Sequence, residues 1–329
     1  MTDLRTAPAA HDGPRLTHQG LVYGSDREFL DATVPFCLDG LHRDDAVLAV
    51  TTGGNIDLLR QALGDAAPHV AFVTADDWYQ SPGRTLSAYY RYVGRHTAGR
   101  PQRQVRVIGE PVWHGRDELE TREWTRYESA INIAFASCPA WIVCPYDTRR
   151  LPEAVVADAR RTHPQLVAGP GARASGHYLP PTSPDGAWSG GAREEVPAAE
   201  PVPGRAVPSM RFGADLGEAR SFVSETAVSL GMSPSGAQRL VLAVNEVATN
   251  VVQHGGGSGE VVLERTGHRI VCDVTGPGRT GADWYEGYLP PDPAHGRGHG
   301  LWVVRQLCEL VEIDARHGGT SVRLHVNVS

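Results

Sequence analysis

Between Gly169 and Pro208 the chain loses every regular apolar spacing and turns to Pro, Gly, Ala and Ser, as in GPGARASG, LPPTSPDGAWSGG and PAAEPVPG. Such a stretch cannot bury enough surface to offset the entropy of ordering it. Structureless loops beyond ~15 residues are uncommon inside one compact domain, so the stretch predicts two folding units with a linker between them. The expected organisation is a flexible tail at 1–14, a first domain at 15–168, a linker at 169–208 and a second domain at 209–329. A chain of 329 residues that is 41% hydrophobic can supply a core to each.

Composition removes several classes of chemistry. The sequence contains no lysine, which excludes a phosphate loop ending in G-K-[ST], a pyridoxal-phosphate Schiff base and a protein-kinase fold with its strand lysine. Any phosphate must be held by backbone amides, arginine or a metal. The net charge of -7 opposes direct nucleic-acid binding, which needs a clustered basic face. The N-terminus lacks a basic region followed by an apolar one, and no apolar run approaches the ~20 residues of a membrane span, so a cytoplasmic protein without membrane contact is expected. The five cysteines form no C-x-x-C pair and match no zinc spacing. They read as small buried apolar residues.

Upstream of the linker, AVLAVTT (46–52), HVAFVTA (69–75), QVRVIG (104–109) and AWIVCPYD (140–147) read as buried strands, and helical patterns lie between them. Alternation of strand and helix predicts an α/β domain, with a mainly parallel sheet and helices on both faces. Downstream the order is two helices (215–230 and 234–254), strands near 259–265 and 268–275, a loop, a helix (300–310) and a terminal strand pair. That order predicts an α+β domain with helices on one face of a mixed sheet.

Two segments of the second domain carry chemistry. In VNEVATNVVQHGG, Glu246 and Asn250 are four residues apart and share one helix face, where the amide oxygen suits Mg2+ and the carboxylate can take a proton. In HGRGHGLWVVRQL, Gly296, Gly298 and Gly300 precede an apolar helix, so backbone amides at its start can approach an anion. A strand ending in a Gly-rich turn, IVCDVTGPGRTG, lies between them, and HGGTSVRLHV leads into a last strand through Thr320.

Taken in order, these four elements resemble the Bergerat (GHKL) ATPase signature, and the His254-Gly255 after the asparagine is similar to anti-sigma serine kinases. The resemblance implies ATP and Mg2+ as cofactors. It makes Asn250 the Mg2+ ligand and Glu246 the general base, with Gly278 in the adenine-side turn, Thr320 near the adenine, and Gly296, Gly298, His299, Gly300 and Leu301 at the phosphates. The family places an aspartate two residues before the turn glycine, and here that position is Gly276. Asp273 is the nearby carboxylate, at an offset that turns it to the opposite face of a regular strand unless a bulge intervenes. On this reading Gly276→Asp restores a carboxylate and tightens ATP binding.

The segment from His18 to Pro164 resembles the MEDS sensory domain through HQGLVYGSDREF, TTGGN, GEPVW, WTRYESAINIAF and CPYD. Strand polarity places a small-ligand pocket at Gly53, Gly54, Glu110, Trp113, Cys144, Tyr146 and Asp147. The two resemblances together imply an anti-sigma regulator that binds a sigma factor and phosphorylates a STAS-type anti-anti-sigma protein, with a homodimer as one assembly. Two alternatives stay open. One is a ligand-gated binding module without turnover; the other is a sensor histidine kinase, which would need a phosphoacceptor in a helical hairpin where the sequence offers only His177.

Overall fold

The computed structural model describes residues 15–169, 171–183, 207–278, 283–291, 299–314 and 319–328. In the N-terminal domain, β1 (Thr17–Tyr23) is followed by α1 (Asp26–His42), β2 (Ala46–Thr51), α2 (Gly53–Leu63), β3 (Ala71–Thr74), α3 (Ala75–Trp78) and α4 (Pro82–Thr97). The chain continues through β4 (Val105–Gly109), α5 (Glu118–Ala134), β5 (Ala140–Asp147), α6 (Glu153–Thr162), β6 (Gln165–Ala168) and β7 (Gly171–Ala174). These strands form one sheet in the order β3-β2-β4-β5-β1-β6-β7, parallel except at the β6–β7 pair.

Alternation along the strands explains the two apolar layers. Ala46, Leu48 and Val50 of β2 join one core with residues of α4, α5 and α6, while Val47 and Ala49 join the other with residues of α1 and α2. Helices therefore cover both faces, as the continuous apolar strands predict. The sheet extends into the stretch read as linker: β7 lies at 171–174, and the remainder of that stretch from 184 to 206 lies outside the described residues. The expected tail at 1–14 lies outside them too.

The C-terminal domain runs β8 (Ser209–Phe212), α7 (Gly217–Ser229), α8 (Pro234–His254), β9 (Gly259–Thr266), β10 (Arg269–Gly276), α9 (His299–Leu307), β11 (Leu310–Asp314) and β12 (Thr320–Asn327). Its sheet has the order β11-β12-β10-β9-β8. Every described pairing in it is antiparallel, where the sequence reading expects a mixed sheet, because β9–β10 and β11–β12 are adjacent in the chain and fold back as hairpins. Helices α7, α8 and α9 pack on one face over a core of residues such as Val223, Leu240, Val247, Cys272, Val304 and Leu324.

Candidate nucleotide site

Helix α8 begins where the Ser233 hydroxyl accepts a bond from the Gly236 amide at 3.2 Å, with Pro234 at the first position. Leu240, Val244, Val247 and Val251 bury one face of it, which leaves Glu246 and Asn250 half-buried on its flank. The start of α9 comes down on that flank. A Cβ on Gly300 would lie 3.1 Å from Glu246 Oε2 and 3.7 Å from Asn250 Nδ2, so the backbone at the start of α9 lies against both groups. Among the described residues, no hydrogen-bond partner engages either side chain.

A cavity of about 180 Å³ opens beside them, lined by Asn250 and His254 of α8, Gly300 and Leu301 of α9, Glu286 and Gly287 of the intervening loop, and Thr320 of β12. Gly278 closes the turn after β10 by donating its amide to the Gly255 carbonyl at 2.7 Å, and the Thr320 hydroxyl donates to the Gly278 carbonyl at 2.9 Å. His299 is the first residue of α9. Gly296 and Gly298 lie outside the described residues.

One expected residue is turned away from the site, and at a second the packing excludes a larger side chain. Asp273 faces away from the helices, where both its oxygens accept bonds from Arg323 across the β10–β12 register at 2.7 and 2.8 Å. No bulge interrupts that register, so strand parity decides the face. Gly276 has the correct parity, but a Cβ on it would lie 2.4 Å from Val251 Cγ1. Gly276 is required by the packing of α8 on β10, and no room is held for an aspartate.

Three residues that spacing does not indicate belong to the surroundings. His254 and Glu286 line the cavity, and burial, with Asp283 second, pushes the Glu286 carboxyl above the ordinary carboxylate range. Arg305 of α9 is buried and donates to the carbonyls of Glu286 (2.8 Å), Trp284 (2.8 Å) and Val311 (3.1 Å). Its guanidinium stacks 3.9 Å over the Tyr288 ring. The loop before α9 is thus held to α9 by one side chain.

That loop reaches the N-terminal domain. Trp284 and Tyr288 belong to the core that contains Tyr127 and Trp124, and Trp284 Nε1 donates to the Pro181 carbonyl at 3.3 Å. Helix α4 lies against α9: Arg84 Nε donates to the Gln306 carbonyl (3.0 Å), Gln306 Nε2 to the Gly83 carbonyl (3.0 Å), and Arg84 pairs with Glu309 at 3.1 Å. On the sheet side, Arg269 of β10 binds Asp117 at 3.1 Å and Glu120, the capping box of α5.

The residues expected to line a sensor pocket fall into separate settings. Gly53 and Gly54 are exposed at the start of α2. Glu110 is buried and accepts bonds from Tyr23 (3.3 Å), Asn55 (2.9 Å) and Thr51. Asp147 accepts from Arg149 at 2.8 and 2.9 Å. Trp113, Cys144 and Tyr146 lie in the core under α4 and α5.

The first segment, residues 17–164, matches the family model of the MEDS domain, described as a methanogen/methylotroph, DcmR sensory domain. Residues 213–326 match the histidine kinase-like ATPase domain. Comparison with curated proteins gives no match. Among solved structures, the RsbU and RsbW domains of Rv1364c from Mycobacterium tuberculosis align at 20% identity and a TM-score of 0.28 over 37% of this chain and 32% of that one. The histidine kinase AdeS of Acinetobacter baumannii aligns at 8% identity and a TM-score of 0.23, over 38% of this chain and 70% of that one. This chain therefore covers about a third of the first of these neighbours. It joins a MEDS domain at its N-terminal side to a histidine kinase-like ATPase domain at its C-terminal side.

Proposed function

We propose that the chain is an anti-sigma-type regulator whose C-terminal domain binds ATP with Mg2+, holds a sigma factor and phosphorylates a serine or threonine of a STAS-type antagonist. The observation that carries this reading is the meeting of Glu246 and Asn250 at the start of α9, where Asn250 and Gly300 line one cavity. There Asn250 would offer a neutral oxygen to the cation, Glu246 would take the proton of the attacking hydroxyl, and the amides at the start of α9 would hold the phosphates. Mg2+ would supply the neutralisation of phosphate charge that lysine cannot supply in this chain.

Asn250→Ala is expected to abolish Mg2+-dependent ATP binding, measured by calorimetry, while circular dichroism stays unchanged. Wild-type affinity in that variant would remove the assignment. Glu246→Gln should keep ATP binding and lose phosphoryl transfer to a STAS-domain protein. A second reading, binding without turnover, is favoured by the Val251 methyl that occupies the space at Gly276. It predicts weak ATP binding by wild type, with no label transferred to any STAS protein. Against a histidine kinase, His177 lies in a turn and not on a helix.

Control by the N-terminal domain would pass through α4 and α9. A Cβ on Gly83 would lie 2.2 Å from the Arg305 carbonyl oxygen, so Gly83→Ala must push the two helices apart. The full-length variant should then bind ATP with an affinity altered by at least ~5-fold, the low end of ordinary coupling between sites. Equal affinities in a folded variant would rule this route out.

A further inference from the structure

His18 of β1, Glu128 of α5, Cys144 of β5 and His163 at the end of α6 come from four elements and meet in the interior of the N-terminal domain. All four are buried, none more than 3% exposed, and one donor atom from each lies within 4.8 Å of the others. His18 Nε2 is 3.5 Å from Cys144 Sγ and 3.6 Å from Glu128 Oε2, and His163 Nε2 is 3.4 Å from the same oxygen. Four ligands placed tetrahedrally at ~2.0–2.3 Å from a zinc-class ion stand ~3.3–3.8 Å apart. Three of the six separations, at 3.4–3.6 Å, fall in that interval, and all six lie within 4.8 Å, so the ligands need to close up by no more than about 1 Å to reach it.

The hydrogen-bond network fixes where the imidazole protons are. Asn132 donates its amide to the carbonyls of Thr162 (2.8 Å) and Ser129 (3.2 Å), which leaves its oxygen as acceptor toward His18 Nδ1 at 3.0 Å. His18 Nδ1 therefore carries a proton, and in the neutral ring Nε2 presents a lone pair. His163 Nδ1 lies 2.8 Å from the Ala159 carbonyl, which can only accept, so Nδ1 carries a proton and Nε2 is its ligand atom in the neutral ring. Among the described residues, neither His163 Nε2 nor Glu128 Oε2 has a hydrogen-bond partner. Two lone pairs and a carboxylate oxygen facing one another out of water repel unless a metal ion or a shared proton lies between them, and a metal also engages the Cys144 sulfur that joins them. Orientation of each metal-ligating histidine through its second nitrogen is the usual device for such an ion. Gly20 makes space for the arrangement, since a Cβ there would lie 3.2 Å from the His163 ring.

The geometry points to a buried four-ligand site for one divalent transition-metal ion of the zinc class, formed by Nε2 of His18 and His163, Oε2 of Glu128 and Sγ of Cys144. Two imidazoles and a thiolate disfavour Mg2+ and Ca2+, which take oxygen ligands. With four protein ligands the site is closed, and its role is to clamp β1, β5, α5 and α6 together. The test uses the full-length chain and Zn2+ or Co2+ alone. Wild type should bind about one equivalent per chain, and the Co2+ form should show intense tetrahedral d–d bands with a thiolate charge-transfer band. Cys144→Ser should lose the charge-transfer band, whereas Cys138→Ser, at the half-buried cysteine, should keep it. Asn132→Ala touches no ligand atom of the metal but releases His18 Nδ1 and the Thr162 carbonyl beside His163, and should weaken affinity by ~10–100-fold. Circular dichroism establishes folding in each case, and if Cys144→Ser does not fold, wild type and Cys138→Ser decide. Folded wild type that takes up neither ion, leaving a proton-shared His–Glu–His cluster, would overturn the assignment. So would an unaltered Co2+ spectrum in Cys144→Ser.

Discussion

Gly276→Asp should lower the stability of the C-terminal domain by about 1–3 kcal/mol, the ordinary range for overpacking a core, and should not raise ATP affinity. The new Cβ would lie 2.4 Å from Val251 Cγ1 and 3.3 Å from Cγ2, and Val251 is fully buried in the core of α8 against the sheet. A β-branched side chain on a helix has one favoured rotamer, so the methyl cannot turn aside. The strand or the helix must move instead. On thermal unfolding the variant should melt on the order of 5–10 °C below wild type. The double variant Val251→Ala/Gly276→Asp removes the blocking methyl and should recover part of that loss. Only in this background can the carboxylate reach the cavity face and tighten nucleotide binding. A single Gly276→Asp variant that is as stable as wild type and binds ATP more tightly would show that α8 does not pack as described.

The contrast between Gly276 and Asp273 shows how far a strand can be read from its sequence. Parity along β10 is a local property, and the offset of Asp273 from the turn glycine is enough to indicate its outward face. That a valine one residue beyond Asn250 fills the space at Gly276 depends on how α8 lies on the sheet. The same division holds throughout the chain. Glu246 and Asn250 share a helix flank because four residues make about one turn, and Ser233-Pro234 marks the start of their helix. The meeting of His18, Glu128, Cys144 and His163 has no spacing signature, because it follows from β1 inserting beside β5 and from α5 and α6 lying over them. β1 is itself hard to read as a strand: His18 and Gln19 put polar side chains in the middle of a sheet, and both are buried. β7 is an edge strand with all four residues exposed, so only its backbone pairing defines it. Nothing local in Trp284 or Tyr288 shows that they enter the core of the other domain.

Arg305→Ala should produce the largest loss, roughly 3–5 kcal/mol, together with release of the loop before α9. Arg305 is 3% exposed, and its guanidinium donates to three carbonyls, those of Trp284, Glu286 and Val311. Truncation leaves these acceptors buried without a donor, at about 1–3 kcal/mol each where water cannot reach them. It also removes the ring stacking on Tyr288. Because Trp284 and Tyr288 are anchored in the N-terminal core, the released loop should withdraw them from it. Three readouts should therefore change together: a lower melting temperature, faster amide exchange in residues 283–291 and in α4, and a red-shifted tryptophan emission. Arg305→Lys should recover only a small part, since a single ammonium cannot reproduce the planar fork that reaches three carbonyls in different directions. Restored stability in the lysine variant would mean that charge, and not the fork, holds the loop. Faster exchange confined to 283–291, with α4 unchanged, would mean that the loop is not what ties the sensory domain to the nucleotide site, and coupling would then have to pass through Arg269 and the capping box of α5.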